Sequence, residues 1–150
     1  MASNENIGRL IKIFGNKLTT SLTAYGKKWD LTSMQMSIID FIANHPKTII
    51  LQRDLEREFN IKRSTATVLV QRMIKKKLLI YGKSPTGDKR QKQILLTTEA
   101  RELSSNISLY LRDTNKKLLA GFSEQQIEVI ISFLKQNIER NNHGNKKNVT

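Results

Sequence analysis

Arg63-Ser64-Thr65-Ala66-Thr67-Val68-Leu69-Val70-Gln71-Arg72-Met73-Ile74-Lys75-Lys76 is the stretch that decides how the rest of the chain reads. At about 100° per residue, Ala66, Leu69, Val70, Met73 and Ile74 fall on one helical face. The opposite face carries Ser64, Thr65, Val68, Gln71, Arg72 and Lys75. The first face is a core stripe. The second holds hydroxyls, an amide, a guanidinium and an apolar Val, the groups that meet base edges and thymine methyls in a major groove. A merely solvated face would ordinarily carry Glu and Asp too, and this one has neither.

Just upstream, Gln52 to Phe59 predicts a short helix with Leu55 and Phe59 inward, preceded by the β-prone run Thr48-Ile49-Ile50-Leu51. Asn60-Ile61-Lys62 between the two helices is a tight turn. Short helix, brief turn and basic helix make a helix-turn-helix. Downstream, Leu78-Leu79-Ile80-Tyr81 and Gln93-Ile94-Leu95-Leu96 are strand-like. Lys83-Ser84-Pro85-Thr86-Gly87-Asp88-Lys89-Arg90 between them is a turn-rich, basic loop. A hairpin with a positively charged tip is a wing.

The charge agrees with this reading. The chain has 150 residues and a formal net charge of +13, which points to a polyanion as partner. From Lys62 to Lys92 the basic residues are Lys62, Arg63, Arg72, Lys75, Lys76, Lys77, Lys83, Lys89, Arg90 and Lys92, and Asp88 is the only acid. With no cysteines, disulfides, thiolate metal sites and Cys nucleophiles are excluded. His45 and His143 lie far apart, so each reads as a solvated side chain and no metal site or cofactor is expected. No apolar run is long enough to span a membrane and no signal peptide opens the chain, so a cytoplasmic location is expected. There is no P-loop, Rossmann glycine pattern or Gly-x-Ser-x-Gly elbow, so the chain is not expected to be an enzyme.

Long helices are expected at both ends. Ile7, Leu10, Ile11, Phe14, Leu18, Leu22 and Tyr25 form one stripe, with Gly8 and Gly15 on its edge as candidates for a close backbone approach. Thr32-Ser33-Met34-Gln35 is a capping box opening a helix with Met36, Ile38, Ile39, Phe41 and Ile42. Trp29, just before it, reads as a core anchor. A helix from about Thr97 carries Leu103, Ile107, Tyr110, Leu111, Leu118 and Phe122. Ser123-Glu124-Gln125-Gln126 caps a last helix with Ile127, Ile130, Ile131, Leu134 and Ile138, and residues 141–150 are expected to be a disordered polar tail. The expected fold is mostly α with a small antiparallel β-hairpin. It is one unit over 1–150, with a winged helix-turn-helix at 31–97 flanked by dimerisation helices at 4–28 and 98–140. The small winged core cannot cover the apolar faces of the terminal helices, so a C2 homodimer is the expected solution.

Neither Leu51 nor Lys62, at the starts of the two central helices, can accept a hydrogen bond as an N-cap should. Either their first-turn N–H groups are left for phosphate oxygens, or the boundary shifts and Asn60 caps the second helix.

Ile61 through Thr97 resembles the multiple antibiotic resistance regulator (MarR) family. The echoes are Arg63-Ser64-Thr65-Ala66-Thr67, Lys75-Lys76-Lys77-Leu78, and Asp88-Lys89-Arg90 followed by Leu96-Thr97, with flanking helices in the same order. The resemblance implies a sequence-specific transcription regulator, usually a repressor, binding a pseudo-palindromic double-stranded DNA operator. It implies that Arg63, Ser64, Thr65, Thr67, Val68, Gln71, Arg72 and Lys75 form the recognition helix. The wing contacts would come from Lys83, Asp88, Lys89, Arg90 and Lys92, Arg90 entering the minor groove and Asp88 holding it. It also implies a small amphipathic or aromatic effector, for which Tyr25, Met36 and Ile39 are the candidate lining. Leu51, Lys62 and Lys77 depart from the family's frequent Thr, Asp or Ser, and Gly. A non-specific or architectural nucleic-acid-binding protein is the alternative.

Overall fold

The computed structural model describes residues 4–144, and side chains through residue 140. Six α-helices and one hairpin follow in the order α1 (Ile7–Gly26), α2 (Ser33–Ala43), α3 (Gln52–Glu58), α4 (Arg63–Lys75), β1 (Leu79–Tyr81), β2 (Ile94–Leu96), α5 (Thr98–Leu119) and α6 (Glu124–Gly144). A 3₁₀ turn, Lys27–Trp29, joins α1 to α2. The chain divides into two compact units, Met1–Ile107 and Ser108–Thr150.

Local chemistry sets the helix starts. Asn6 accepts from the Arg9 N–H at 2.9 Å and so caps α1. At α2 the Thr32 hydroxyl takes the Gln35 N–H (3.2 Å) while the Gln35 amide oxygen takes the Thr32 N–H (3.1 Å). That is the reciprocal box expected of Thr-x-x-Gln. Thr97 caps α5 by accepting from the Ala100 N–H at 3.1 Å, and its own hydroxyl donates to the Lys77 carbonyl at 2.8 Å.

In the first unit α1 packs on α2, α2 on β2, α3 on α4 and α4 on β1. Met36, Ile38, Ile39, Leu55, Val70, Met73, Leu79 and Ile94 form a sealed core between them. The strands pair antiparallel, Leu79 with Leu96 and Tyr81 with Ile94, so Leu79, Leu96 and Ile94 share the inner face. Thr48–Leu51 is not a strand of this ladder. It is held to the hairpin by one bond, the Ile94 N–H donating to the Ile50 carbonyl at 2.8 Å.

The close approach expected at Gly8 or Gly15 occurs elsewhere. Gly15 has nothing within 4 Å of where a Cβ would stand, and Gly8 meets only the Asn6 side chain. At Gly26 a Cβ would lie 2.5 Å from Met36 Cε and 2.6 Å from the Leu31 carbonyl. Trp29 is half-buried and meets the Tyr25 ring edge-on at 5.2 Å.

In the second unit α5 ends at Leu119, and the chain turns at Gly121 with φ 87°. Phe122, expected on α5, therefore lies in the turn. Its four-residue spacing from Leu118 continues the apolar pattern past the true helix end. Ser123 and Gln126 form the expected reciprocal box, with bonds of 2.9 and 3.1 Å. The α6 backbone stays helical to Gly144, into the stretch expected to be tail. Residues 145–150 of that tail lie outside the described residues.

Candidate nucleic-acid interface

The turn between α3 and α4 is a helix C-cap built on Asn60. Its φ of 48° is left-handed, and the Ile61 N–H donates back to the Glu56 carbonyl at 3.1 Å. Asn is among the few non-glycine residues that accept this conformation readily. Asn60 therefore ends α3 and does not cap α4. The N-cap of α4 is Lys62, with no side-chain cap. Of the two readings left open at this helix start, the uncapped one holds. At α3 the situation differs, because the Asp54 carboxylate accepts the Leu51 N–H at 2.8 Å. That acid in the first turn already complements the helix dipole and disfavours a phosphate there. Only α4 leaves its first-turn N–H groups without a side-chain acceptor of this kind.

Along α4 the two faces separate as the spacing predicts. Ala66, Val70 and Met73 are buried, and Leu69 and Ile74 half-buried. Arg63, Ser64, Thr65, Val68, Gln71, Arg72 and Lys75 are all exposed. Thr67 is half-buried, and its hydroxyl is engaged inside the motif. It donates to the Arg63 carbonyl at 2.9 Å and accepts from Gln52 Nε2 at 2.9 Å. The Gln52–Thr67 bond ties α3 to α4, so both residues set the angle of the motif.

The far end of α4 is fixed by two lysines with different tasks. Lys77 has φ 59°, and the Leu78 and Lys77 N–H groups donate to the Met73 and Ile74 carbonyls, each at 2.9 Å. This is a Schellman closure with lysine at the position usually given to glycine. Lys76 turns inward. Its Nζ donates to the Asp30 carbonyl and to Gln35 Oε1 (3.4 Å), and lies 3.6 Å from Asp30 Oδ2. Lys76 thus spends its charge on holding α4 to the corner between α1 and α2. The sequence pattern places it on the basic surface without its partners. Its place three residues after the core residue Met73 is the local sign that it lies at the edge of the packed face.

The wing extends beyond β1 and β2 through bonds from the Gly82 N–H to the Gln93 carbonyl (2.7 Å) and from the Gln93 N–H to the Lys83 carbonyl (3.1 Å). Gly87 turns the tip with φ 81°. Within the tip Asp88 Oδ1 accepts the Arg90 backbone N–H at 2.9 Å and Arg90 Nε at 3.3 Å. The Arg90 side chain is 85% exposed and that of Asp88 only 37%. Such an exposed pair adds little stability, about 0–1 kcal/mol. Its effect is to order an exposed guanidinium. Lys83, Lys89 and Lys92 are exposed, and Lys92 Nζ lies 5.3 Å from the Tyr81 ring centroid. A cleft of about 630 Å³ separates wing from helices, lined by Arg63 and Gln71 on one side and by Lys89, Arg90 and Lys92 on the other.

The candidate effector residues are not brought together as an open lining. Met36 and Ile39 have no exposed surface. Tyr25 is half-buried, and its hydroxyl donates to the Asn106 carbonyl at 3.2 Å. Lys28 Nζ stands over the Tyr25 and Trp29 rings at 4.4 and 4.3 Å. Among the described residues no helix is long and apolar enough to cross a membrane.

The MarR family's sequence model matches residues 29–91, from the end of the 3₁₀ turn into the wing. A comparison with curated protein sequences gives no match. Among solved structures the transcription regulator MarR from Oenococcus oeni PSU-1 is 42% identical, with a TM-score of 0.83, covering 89% of this chain and 99% of its own. A MarR family transcriptional regulator from Listeria monocytogenes complexed with 26mer DNA has a TM-score of 0.82 at 22% identity, covering 97% of this chain and 98% of its own. The heme sensor protein PefR, in complex with heme and carbon monoxide, is 25% identical with a TM-score of 0.58, covering 87% of this chain and 91% of its own. An uncapped, acid-free α4, a hairpin wing ordered by Asp88 and Arg90, and near-complete alignment at 42% identity lead to one assignment: the chain belongs to the MarR family of winged helix-turn-helix transcription regulators.

Proposed function

We propose that the protein is a sequence-specific regulator that binds a pseudo-palindromic DNA operator as a homodimer and represses transcription. The observation that carries this reading is the cleft shared by α4 and the wing. Arg63 and Gln71 of α4 and Lys89, Arg90 and Lys92 of the wing line it together, with Arg53 and Glu56 of α3 beside them, which supports reading α4 and Arg90 as parts of one DNA-facing surface. In this reading α4 enters the major groove, the uncapped N–H groups after Lys62 meet a phosphate, and Arg90 enters the adjacent minor groove, where negative potential is concentrated. Lys62, Lys75, Lys83, Lys89 and Lys92 neutralise phosphates, giving a log–log salt slope of about −0.9 per phosphate. A binding titration across moderate salt tests this, and a slope near zero would remove it.

Dimerisation follows from apolar surface left on two separate elements. On α1, Ile7, Leu10, Ile11 and Phe14 are exposed, and on α6 Val129, Ile130, Ile131, Phe133, Leu134 and Ile138 are exposed. A second copy is the natural cover, and two-fold symmetry matches two half-sites. The effector belongs to the same proposal. Its support is Tyr25, with an aromatic face beside Trp29, and the existence of a heme sensor among the relatives. A ligand reaching Met36 or Ile39 must first uncover them, which couples binding to a change in the α1–α2 packing. A melting-temperature shift with amphipathic aromatic compounds or heme, together with release of DNA, is the test.

A further inference from the structure

We infer that Val68 reads the 5-methyl group of a thymine, at or beside the base pair addressed by Gln71; this rests on the proposed base-reading role of α4. Val68 is 46% exposed, while Ala66, Val70 and Met73 of the same helix are at most 1% exposed. A β-branched residue is a poor choice for an exposed helix position, since it loses χ1 freedom and gains no packing. Its neighbours one turn away, Ser64, Thr65, Gln71 and Arg72, are all exposed and polar, so α4 itself offers it no apolar partner. In the major groove the apolar group offered by the bases is the thymine methyl. The rise from residue 68 to 71 is about 4.5 Å along the helix, close to the ~3.4 Å between successive bases on a strand. Val68 and the Gln71 amide therefore address the same base pair or adjacent ones. Gln suits an adenine edge. The pair selects an A·T step in each half-site, with the methyl sensed by contact and the adenine by hydrogen bonds.

The test separates the methyl from everything else on the base. A preferred duplex is selected from a random pool with the full chain, and each thymine is replaced in turn by deoxyuridine. Affinities are then measured for the wild type and for Val68→Ala. One thymine per half-site should weaken wild-type binding about fourfold when its methyl is lost, equivalent to ~0.8 kcal/mol for one buried methyl. Val68→Ala should bind the thymine and uracil duplexes equally. The wild-type comparison needs no variant, and equal melting temperatures check that Val68→Ala is folded. If no thymine is sensitive in the wild type, or if Val68→Ala keeps the sensitivity, the assignment is overturned. Failure to select any preferred duplex overturns base reading by α4 itself, and this inference with it.

Discussion

Met36, Ile38, Ile39, Leu55, Val70 and Met73, in the central helices, are at most 1% exposed, whereas Ile7, Leu10, Ile11 and Phe14 of α1 and Ile130, Ile131, Leu134 and Ile138 of α6 remain 36–51% exposed. Both sets follow the same helical period. In the centre each stripe finds partners within its own chain, because α2, α3, α4 and the hairpin are short elements packed on one another. At the ends α1 and α6 are long and keep these residues exposed. The same patterning therefore marks a self-sufficient core in one region and exposed apolar stripes in the other, the stripes that the proposed dimer would cover.

The sharpest way to break this comparison is to truncate one side chain in each region. Ile39→Ala should cost about 2–5 kcal/mol, a loss that does not depend on protein concentration. Ile131→Ala should barely change the stability of the chain by itself but should make the melting temperature depend more steeply on concentration, as dimer loss does. Thermal melts of both at two concentrations decide the matter. Equal, concentration-independent losses would show that α6 is covered by its own chain.

Gly26→Ala comes next, with a smaller but definite cost. The new methyl would stand 2.5 Å from Met36 Cε and 2.6 Å from a backbone carbonyl, and only the methionine can move aside. Overpacking of this kind costs about 1–3 kcal/mol. Gly15→Ala, in open space, should be neutral or slightly stabilising. Denaturant titrations giving the reverse order would contradict the packing of α1 on α2.

The wing and α4 differ in how their loss should register. Arg90→Ala should weaken binding about tenfold, or ~1.4 kcal/mol, on most duplexes, because the minor groove carries a degenerate pattern. Gln71→Ala should lose preference at one base position per half-site. Asp88→Ala should resemble a milder Arg90→Ala, since Asp88 orders the guanidinium through the 2.9 and 3.3 Å bonds. Titrations on matched and mismatched duplexes read all three. Tighter binding by Asp88→Ala would mean that the acid only repels phosphate.

The smallest effect is expected at Lys77. Its left-handed φ of 59° strains a residue with a Cβ, so Lys77→Gly should raise stability by up to about 1 kcal/mol. An unchanged or lower melting temperature would mean that the lysine stem contributes packing.

What could be read from the sequence was whatever depends on near neighbours. The capping boxes at Thr32 and Ser123, the two faces of α4 and the wing's Asp88–Arg90 spacing are all set within a few residues. Features that depend on distant packing were not legible. Gly26 gave no local sign that Met36 would lie against it. Lys76 is a surface cation by its local pattern, and only the fold sets Asp30 and Gln35 beside it. The spacing that makes Met36 and Ile39 candidate ligand contacts does not show that both are fully buried, which follows from the way α2 is enclosed. Phe122 was misplaced because an apolar repeat was followed through Gly121, the residue at which the helix had already stopped.

The claim that the acid-free face of α4 and the wing together read DNA sequence is tested most directly by competition. Labelled duplex selected from a random pool is bound to the 150-residue chain and displaced with unlabelled duplex of either the same or scrambled sequence, at one fixed salt concentration. The account predicts a preference of about a thousandfold or more for the selected sequence. Equal displacement by both would leave a non-specific nucleic-acid binder and contradict it.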